Sequence, residues 1–185
     1  MKKKVAILGS TGSIGKLLLN IIKKNKKNFE IVLLTANNNY KNLLKQTQEF
    51  NVKNVIITDK YSFEKFKKLN KKKNIGIHNN FNNLEKIIKK KIDYTMSAIV
   101  GIDGLEPTIN ITKLTKTIAI ANKESIICGW SLIKKNLKKY KTNFIPVDSE
   151  HFSLWFGLID KHRYAIEEIF LTASGGPFLK KPINY

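Results

Sequence analysis

Short apolar runs alternate along the chain with longer stretches in which apolar positions recur every three or four residues among lysines and asparagines. The first pattern fits strands buried on both faces and the second fits amphipathic helices. Their alternation predicts βαβ units built on a parallel sheet. The runs place strands at residues 5–8, 31–35, 55–58, 75–78, 94–98, 117–121 and 144–147. Helices are predicted at residues 14–24, 40–50, 62–69, 84–90, 105–114 and 125–139. The Asn- and Lys-rich segments 70–74 and 79–83 read as surface connections, and no internal repeat or long linker interrupts the order. The expected fold class is α/β, a doubly wound parallel sheet. With 185 residues and 42% hydrophobic content the chain can bury one full core and the beginning of a second.

In such a sheet all strands point the same way, so the residues leaving them converge on one edge, where ligands bind. Here those residues are Gly9-Ser10-Thr11-Gly12-Ser13-Ile14-Gly15, Asn37-Asn38-Asn39, Ile99-Val100-Gly101, Asn122-Lys123-Glu124-Ser125 and Asp148-Ser149-Glu150-His151. An edge unrelated to function would carry the abundant lysines, yet this one holds three of the 14 carboxylates.

The turn at residues 9–15 reads G-x-x-G-x-x-G, one residue longer than the dinucleotide-binding G-x-G-x-x-G, and it follows a first strand and opens a helix. Glycine provides the positive-φ backbone that a strand-to-helix reversal needs, and the first helical amides are left free. With the helix dipole they attract a phosphate or pyrophosphate; an ordinary βα turn is the plain alternative. Enzymes for NAD end the second strand in an acid that holds the ribose 2′-hydroxyl. Here Ala36 is followed by three asparagines and then, past Tyr40, by Lys41, which favours NADP.

Asp148 and Glu150, two residues apart, could chelate Mg²⁺ or Mn²⁺ through oxygen. Equally, Asp148 or Ser149 could cap a helix beginning near Phe152. Lys123 and Glu124 are either a solvated pair or, beside an anion-binding edge, a lysine that holds a substrate oxygen and its neighbour. Ala173-Ser174-Gly175-Gly176-Pro177 is either a nest of amides with a hydroxyl suited to phosphate or a tight turn. His78, His151 and His162 show no metal-ligand spacing, and Cys128, in an apolar helical run, reads as a small core residue.

Charge alters this picture less than its size suggests. A net charge of +20 and a pI near 9.9 ordinarily point to nucleic acid or an acidic surface. Of the 34 basic residues, however, only Arg163 is arginine, and the lysines accompany heavy use of asparagine and isoleucine, which share adenine- and thymine-rich codons. Nucleic-acid surfaces lean on arginine and aromatic stacking. The scattered lysines therefore read as solvated surface, with no specific nucleic acid as partner. One cysteine excludes an internal disulfide and fits a reducing compartment. The apolar stretch after the N-terminal lysines is too short for a signal peptide, and no run approaches a membrane span. A cytoplasmic protein without a membrane partner is expected.

Five strings carry a family resemblance: GSTGSIG at 9–15, SAIVG at 97–101, ANKES at 121–125, PVDSEH at 146–151 and SGGPF at 174–178. In their order and spacing the chain resembles the 1-deoxy-D-xylulose 5-phosphate reductoisomerases. The resemblance implies a Rossmann-like NADPH-binding domain over residues 1–146, followed over 147–185 by the start of an α+β catalytic domain. It also implies that family's reaction: NADPH- and divalent-metal-dependent rearrangement and reduction of the sugar phosphate to 2-C-methyl-D-erythritol 4-phosphate, in non-mevalonate isoprenoid biosynthesis. By the same resemblance Thr11, Gly12, Ser13 and Ile14 would contact NADPH, with Asn37, Asn38 and Asn39 near its adenosine end. Asn122 and Glu124 would also touch the cofactor. Asp148 and Glu150 would ligate Mg²⁺ or Mn²⁺, while Lys123, Ser149, Glu150 and Ser174 would meet substrate. Lys123 and Glu150 are thereby the candidate catalytic residues, and a homodimer is implied for a full-length chain.

Family members often carry a lysine where this chain has Asn38, so the grip on the 2′-phosphate is expected either to be weaker or to use Lys41. Their chains run on for roughly as much again, with a third acidic metal ligand, a lid and further phosphate-binding groups. The 185 residues alone are therefore expected to lack reductoisomerase activity. The rival readings are a non-catalytic NADP-binding module, a basic nucleic-acid binder, and a semialdehyde dehydrogenase, which would need a nucleophilic cysteine on the polar edge where Cys128 does not fall.

Overall fold

Each short apolar run becomes a strand, and its alternate residues divide between two cores. A computed structural model describes residues 1–70, 74–159, 166–170 and 182. In β1 (Lys3–Leu8) Val5 and Ile7 face one layer while Ala6 and Leu8 face the other, and all four are buried. That two-sided burial is why parallel strands lack the polar alternation of a solvent-facing sheet. The remaining strands are β2 (Phe29–Ala36), β3 (Asn54–Ile57), β4 (Gly76–His78), β5 (Ile92–Ser97), β6 (Thr115–Ile120) and β7 (Asn143–Pro146). All pairings are parallel, and the order across the sheet is β4-β3-β2-β1-β5-β6-β7.

Helices α1 (Ser13–Lys24), α2 (Tyr40–Glu49) and α3 (Lys60–Leu69) cover one face. In α1 the buried Gly15, Leu19 and Ile22 follow a helical stripe, and Leu19 and Ile22 join Leu43 of α2 and Phe66 of α3 in the first core. On the other face lie α4 (Leu84–Ile87), a 3₁₀ turn (Ile102–Gly104), α5 (Leu105–Thr112) and α6 (Lys123–Tyr140). Leu84, Ile111 and Ile133 close that second core over Ala6, Leu8, Ile118 and Ile120. The chain winds outward from β1 to β4, returns to β5 on the other side of β1, and winds outward again. The reversal between β1 and β5 opens a crevice beyond their carboxyl ends, where ligands of this fold bind.

The chain divides into two compact units, Met1–Val147 and Asp148–Tyr185. In the second, α7 (Ser149–Leu158) buries none of its residues, and the Phe152 ring stacks on Phe156 with centroids 5.7 Å apart. No described helix is long and apolar enough to cross a membrane.

Three expectations are corrected. The helix predicted over 84–90 stops after Ile87, because Ile88 leaves helical geometry (φ −110°, ψ 89°) and is itself buried in the second core. The last helix starts at Ser149 rather than near Phe152, because Asp148 caps it. Cys128 is exposed rather than in the core. The run around it is apolar on all sides of the helix, so periodicity alone selects no face. The inner stripe of α6 is Ser125, Gly129 and Ile133, with Gly129 inward because Leu105 Cδ1 occupies the space a Cβ would need.

Candidate functional site

The glycine turn meets the crevice through backbone constraints that only glycine satisfies. Gly9 has φ +81°, and a Cβ on it would lie 2.6 Å from the Ala98 carbonyl oxygen at the end of β5. Beyond it, Gly12 occupies the cap position of α1 with no side-chain hydrogen bond to the helix amides. This sets α1 apart. Asn39 caps α2, Asp59 caps α3, Asn122 caps α6 and Asp148 caps α7, each accepting from an amide in the first turn. The first amides of α1 lack such an acceptor and carry the positive end of the helix dipole.

They open on a cavity of about 720 Å³ lined by Gly9, Thr11 and Gly12 after β1, by Thr35, Ala36 and Asn37 at the end of β2, and by Ala98, Ile99 and Val100 after β5. That volume suits a nucleotide-sized ligand. The same rule of reading what leaves each strand finds Thr35 and Thr58, at the ends of β2 and β3, which the sequence reading passed over. It does not find Phe81, Asp103 or Glu106, which reach the cavity from a connection, from the 3₁₀ turn and from the first turn of α5.

The three asparagines after β2 separate by role. Asn37 and Asn38 are exposed, and Asn37 lines the cavity while its side-chain oxygen accepts from Thr58 Oγ1 at 3.3 Å. The Asn39 side-chain oxygen instead accepts from the Asn42 amide, fixing the start of α2. Ser13 is exposed and Ile14 packs partly against the first core.

On the other side, Asn122 is 3% exposed and its amide group is fully engaged. Its oxygen accepts from the Ser125 amide at 2.7 Å, and its Nδ2 donates to the carbonyls of Ile99 and Gly101. The side chain thus ties the cavity-lining loop after β5 to the first turn of α6, where Lys123 is exposed and Glu124 half-buried. Val100 stands 86% exposed on that tethered loop.

Within the second unit the two readings of Asp148 prove compatible. Oδ1 caps α7, accepting from the His151 amide at 3.0 Å and from His151 Nδ1 at 2.6 Å. Oδ2 is buried without a hydrogen-bond partner. Burial alone would raise the carboxyl pKa, but the His151 amide, ring and charge together outweigh it and hold the pKa below the ordinary value. An ionised, buried, unpartnered oxygen is costly unless a cation meets it. Glu150 accepts from the Ser149 hydroxyl at 2.8 Å. Asp148 and Glu150 thus fit as oxygen ligands of a hard divalent ion, although no group of three His, Cys, Asp or Glu side chains is placed to hold a metal among the described residues. Ser174 and the rest of segment 174–178, with His162 and Arg163, lie outside the described residues.

Comparison with known proteins is consistent along the whole chain. A family model described as 1-deoxy-D-xylulose 5-phosphate reductoisomerase matches residues 5–129, and one described as the C-terminal domain of that enzyme matches 144–185. The reductoisomerase of Pelagibacter ubique (strain HTCC1062) is 62% identical over 178 residues, covering 95% of this chain and 46% of that relative. A solved reductoisomerase from Zymomonas mobilis in complex with NADPH has a TM-score of 0.75 and 33% identity over 81% of this chain and 40% of its own. Another, in complex with magnesium, has a TM-score of 0.83 and 30% identity over 100% of this chain and 49% of its own. The chain spans about half the length of the curated relatives it matches.

Proposed function

The chain belongs to the 1-deoxy-D-xylulose 5-phosphate reductoisomerase family, and from that premise we propose that it carries the NADPH site and part of the metal and substrate site of such an enzyme. The observation that carries the reading is the uncapped start of α1, opening beside Gly9 and Gly12 on a nucleotide-sized cavity. Residues 1–146 form the NADPH-binding domain and 147–185 begin the catalytic domain. The reaction is rearrangement and reduction of 1-deoxy-D-xylulose 5-phosphate to 2-C-methyl-D-erythritol 4-phosphate.

The amides of Ser13 and Ile14, with Thr11 and Gly12 beside them, hold the pyrophosphate. Asn37, Asn38 and exposed Lys41 receive the adenosine end, and the absence of an acid there tolerates the 2′-phosphate. Asn39 and Asn122 act through the loops they cap and tie, with Glu124 beside the cofactor. Asp148 and Glu150 hold Mg²⁺ or Mn²⁺. Lys123, Ser149 and Ser174 meet the substrate, Lys123 offsetting negative charge that develops on its oxygens. When bound, NADPH supplies hydride and the divalent ion acts as a Lewis acid toward substrate oxygens. The same reading includes a homodimer for a full-length chain and a cytoplasmic setting, the latter in keeping with the lone cysteine.

A second reading is a module that binds NADP without turning substrate over, for which the nucleotide-sized cavity would suffice by itself. Fluorescence titration should show NADPH binding at least about tenfold tighter than NADH, a difference of 1.4 kcal/mol. Equal affinity, or none, would overturn the cofactor assignment. NADPH oxidation that depends on the sugar phosphate and Mg²⁺ would instead overturn the non-catalytic reading.

A further inference from the structure

The glycine turn is held by a residue that never reaches the cavity. Ser10, in the middle of the turn, is fully buried. Its amide donates to the Thr35 carbonyl at 2.9 Å, joining the turn to the end of β2. Its hydroxyl has two acceptors in reach, Gln46 Oε1 at 2.8 Å and the Thr35 carbonyl at 3.2 Å, and Gln46 Nε2 in turn donates to the Ser10 carbonyl at 3.0 Å. One amide side chain on α2 therefore grips both polar ends of Ser10 across 36 positions of sequence. Gln46 is not among the residues lining the cavity. The grip constrains the peptide planes of Ser10, and with them the path from Gly9 to Gly12. Gly12 in turn sets where the first amides of α1 point.

We propose that Gln46 is a positioning residue for dinucleotide binding: its paired hydrogen bonds to Ser10 hold the glycine turn in the geometry in which the α1 amides receive the pyrophosphate. The inference rests on the NADPH reading above. A side chain that only stabilised the fold would weaken every ligand together, or none in the folded protein. A positioning role weakens ligands that reach the turn and spares those that do not. Adenosine 2′-monophosphate provides that contrast, since it carries the 2′-phosphate of NADPH but no pyrophosphate.

Gln46→Met keeps the length of the side chain and removes both hydrogen bonds. Gln46→Glu keeps an acceptor for the Ser10 hydroxyl and loses the donor to the Ser10 carbonyl. Calorimetric titration of the full 185-residue chain with NADPH and with adenosine 2′-monophosphate tests the proposal. For Gln46→Met the expected result is an NADPH affinity weakened about five- to thirtyfold, as two hydrogen bonds of ordinary net strength suggest, with adenosine 2′-monophosphate held within about twofold. Gln46→Glu, which sets a carboxylate oxygen against the Ser10 carbonyl, should lose at least as much NADPH affinity as Gln46→Met, and if Gln46→Met does not fold it decides the matter by the same contrast. NADPH affinity within about twofold of wild type, or equal losses for the two ligands, overturns the proposal. Failure of the wild-type chain to bind NADPH at all overturns the functional reading beneath it.

Discussion

What a substituted residue meets decides its effect, and two helical glycines make the point. A Cβ on Gly15 would fall 2.5 Å from the Gly9 carbonyl oxygen and 2.6 Å from Ser10 Cα, both backbone atoms of the turn that cannot move aside. A Cβ on Gly129 would meet only the end of the Leu105 side chain, which can rotate. Gly15→Ala should therefore destabilise by about 2 kcal/mol even after the roughly 1 kcal/mol that alanine contributes in a helix, while Gly129→Ala should stay within about 1 kcal/mol of wild type. Urea denaturation measures both, and a neutral Gly15→Ala would contradict the close packing of α1 on its turn. Asp148 carries a second test, because one oxygen caps α7 while the other has no hydrogen-bond partner and is the one proposed to meet the metal. Asp148→Ser retains a cap acceptor but lacks Oδ2, whereas Asp148→Ala lacks both. Mn²⁺ affinity, read from the free-ion resonance signal, should be lost in both variants, while thermal stability should fall clearly only in the alanine variant, by the roughly 1 kcal/mol of a helix cap. Mn²⁺ binding undiminished in Asp148→Ser would remove this carboxylate from the metal site. From sequence alone metal binding and capping were rival accounts of Asp148, since spacing cannot show that one oxygen leaves the other available.

At the scale of elements, the start of α1, which no side chain caps and which opens on the cavity, is the feature on which the proposed function turns. Gly12 has ordinary backbone angles (φ −74°, ψ 175°), and a Cβ there would sit 3.4 Å from the Gly9 oxygen, so a side chain is admissible. Gly12→Asp would place a carboxylate over the amides where a phosphate is expected. The apo protein should become more stable by up to about 1 kcal/mol, through the cap and the helix dipole, while NADPH affinity falls by at least about tenfold. Thermal melting and fluorescence titration on one preparation test the trade; a variant both stabilised and binding normally would mean that these amides do not receive the cofactor. The central strands were legible in the sequence because burial on both faces leaves continuous apolar runs, while the half-buried edge strands β4 and β7 were legible from their short apolar runs alone. Helix lengths were less so. The segment at 84–90 kept its apolar spacing after leaving helical geometry, since Ile88 reaches the core from extended chain. The inward face of α6 was hidden too, because the clue to it is a glycine, and a missing side chain gives no hydrophobic signal. The edge formed by strand-leaving residues correctly gathered Gly12, Asn37 and Val100 about one cavity, whereas Asp103 and Glu106 enter from the turn and helix behind it and follow no such rule.

For the whole molecule the dominant electrostatic fact is 34 cationic side chains against 14 carboxylates. Several of those carboxylates hold elements together. Asp93 in β5 accepts from the Lys4 amide of β1 at 2.8 Å and from Lys116 Nζ of β6 at 2.7 Å, spanning three neighbouring strands at the amino-terminal end of the sheet. The Lys116 hydrogen bond is the main cause, and the Lys4 amide the second, of a carboxyl pKa below its ordinary value. Asp59, the cap of α3, is lowered likewise by its hydrogen bonds with Ser62. A group whose folded pKa lies below its unfolded one stabilises the fold at pH values above the unfolded pKa, and that contribution disappears as pH falls through the folded pKa. Stability should therefore be nearly level between about pH 7 and 8, slip as pH falls below about 6.5, where the His78 imidazole, whose pKa burial lowers, takes up a proton in the unfolded chain first, and decline steeply below about pH 4, where the unfolded carboxylates, of pKa near 3.9, already bind protons. The decline should be steeper than these two groups explain, because each protonated carboxylate also leaves lysines without counter-charge. Raising NaCl from about 20 to 200 mM shortens the screening length from roughly 20 Å to under 10 Å, so it should raise the melting temperature at pH 7 and raise it further at pH 4. Melting temperatures on that grid of pH and salt separate the two sources. Asp93→Asn should flatten the acid slope while leaving the salt response at pH 7 almost unchanged. A salt response that vanished at pH 4 would mean that the lysines are already paired, and that the solvated-surface account of the basic charge is wrong.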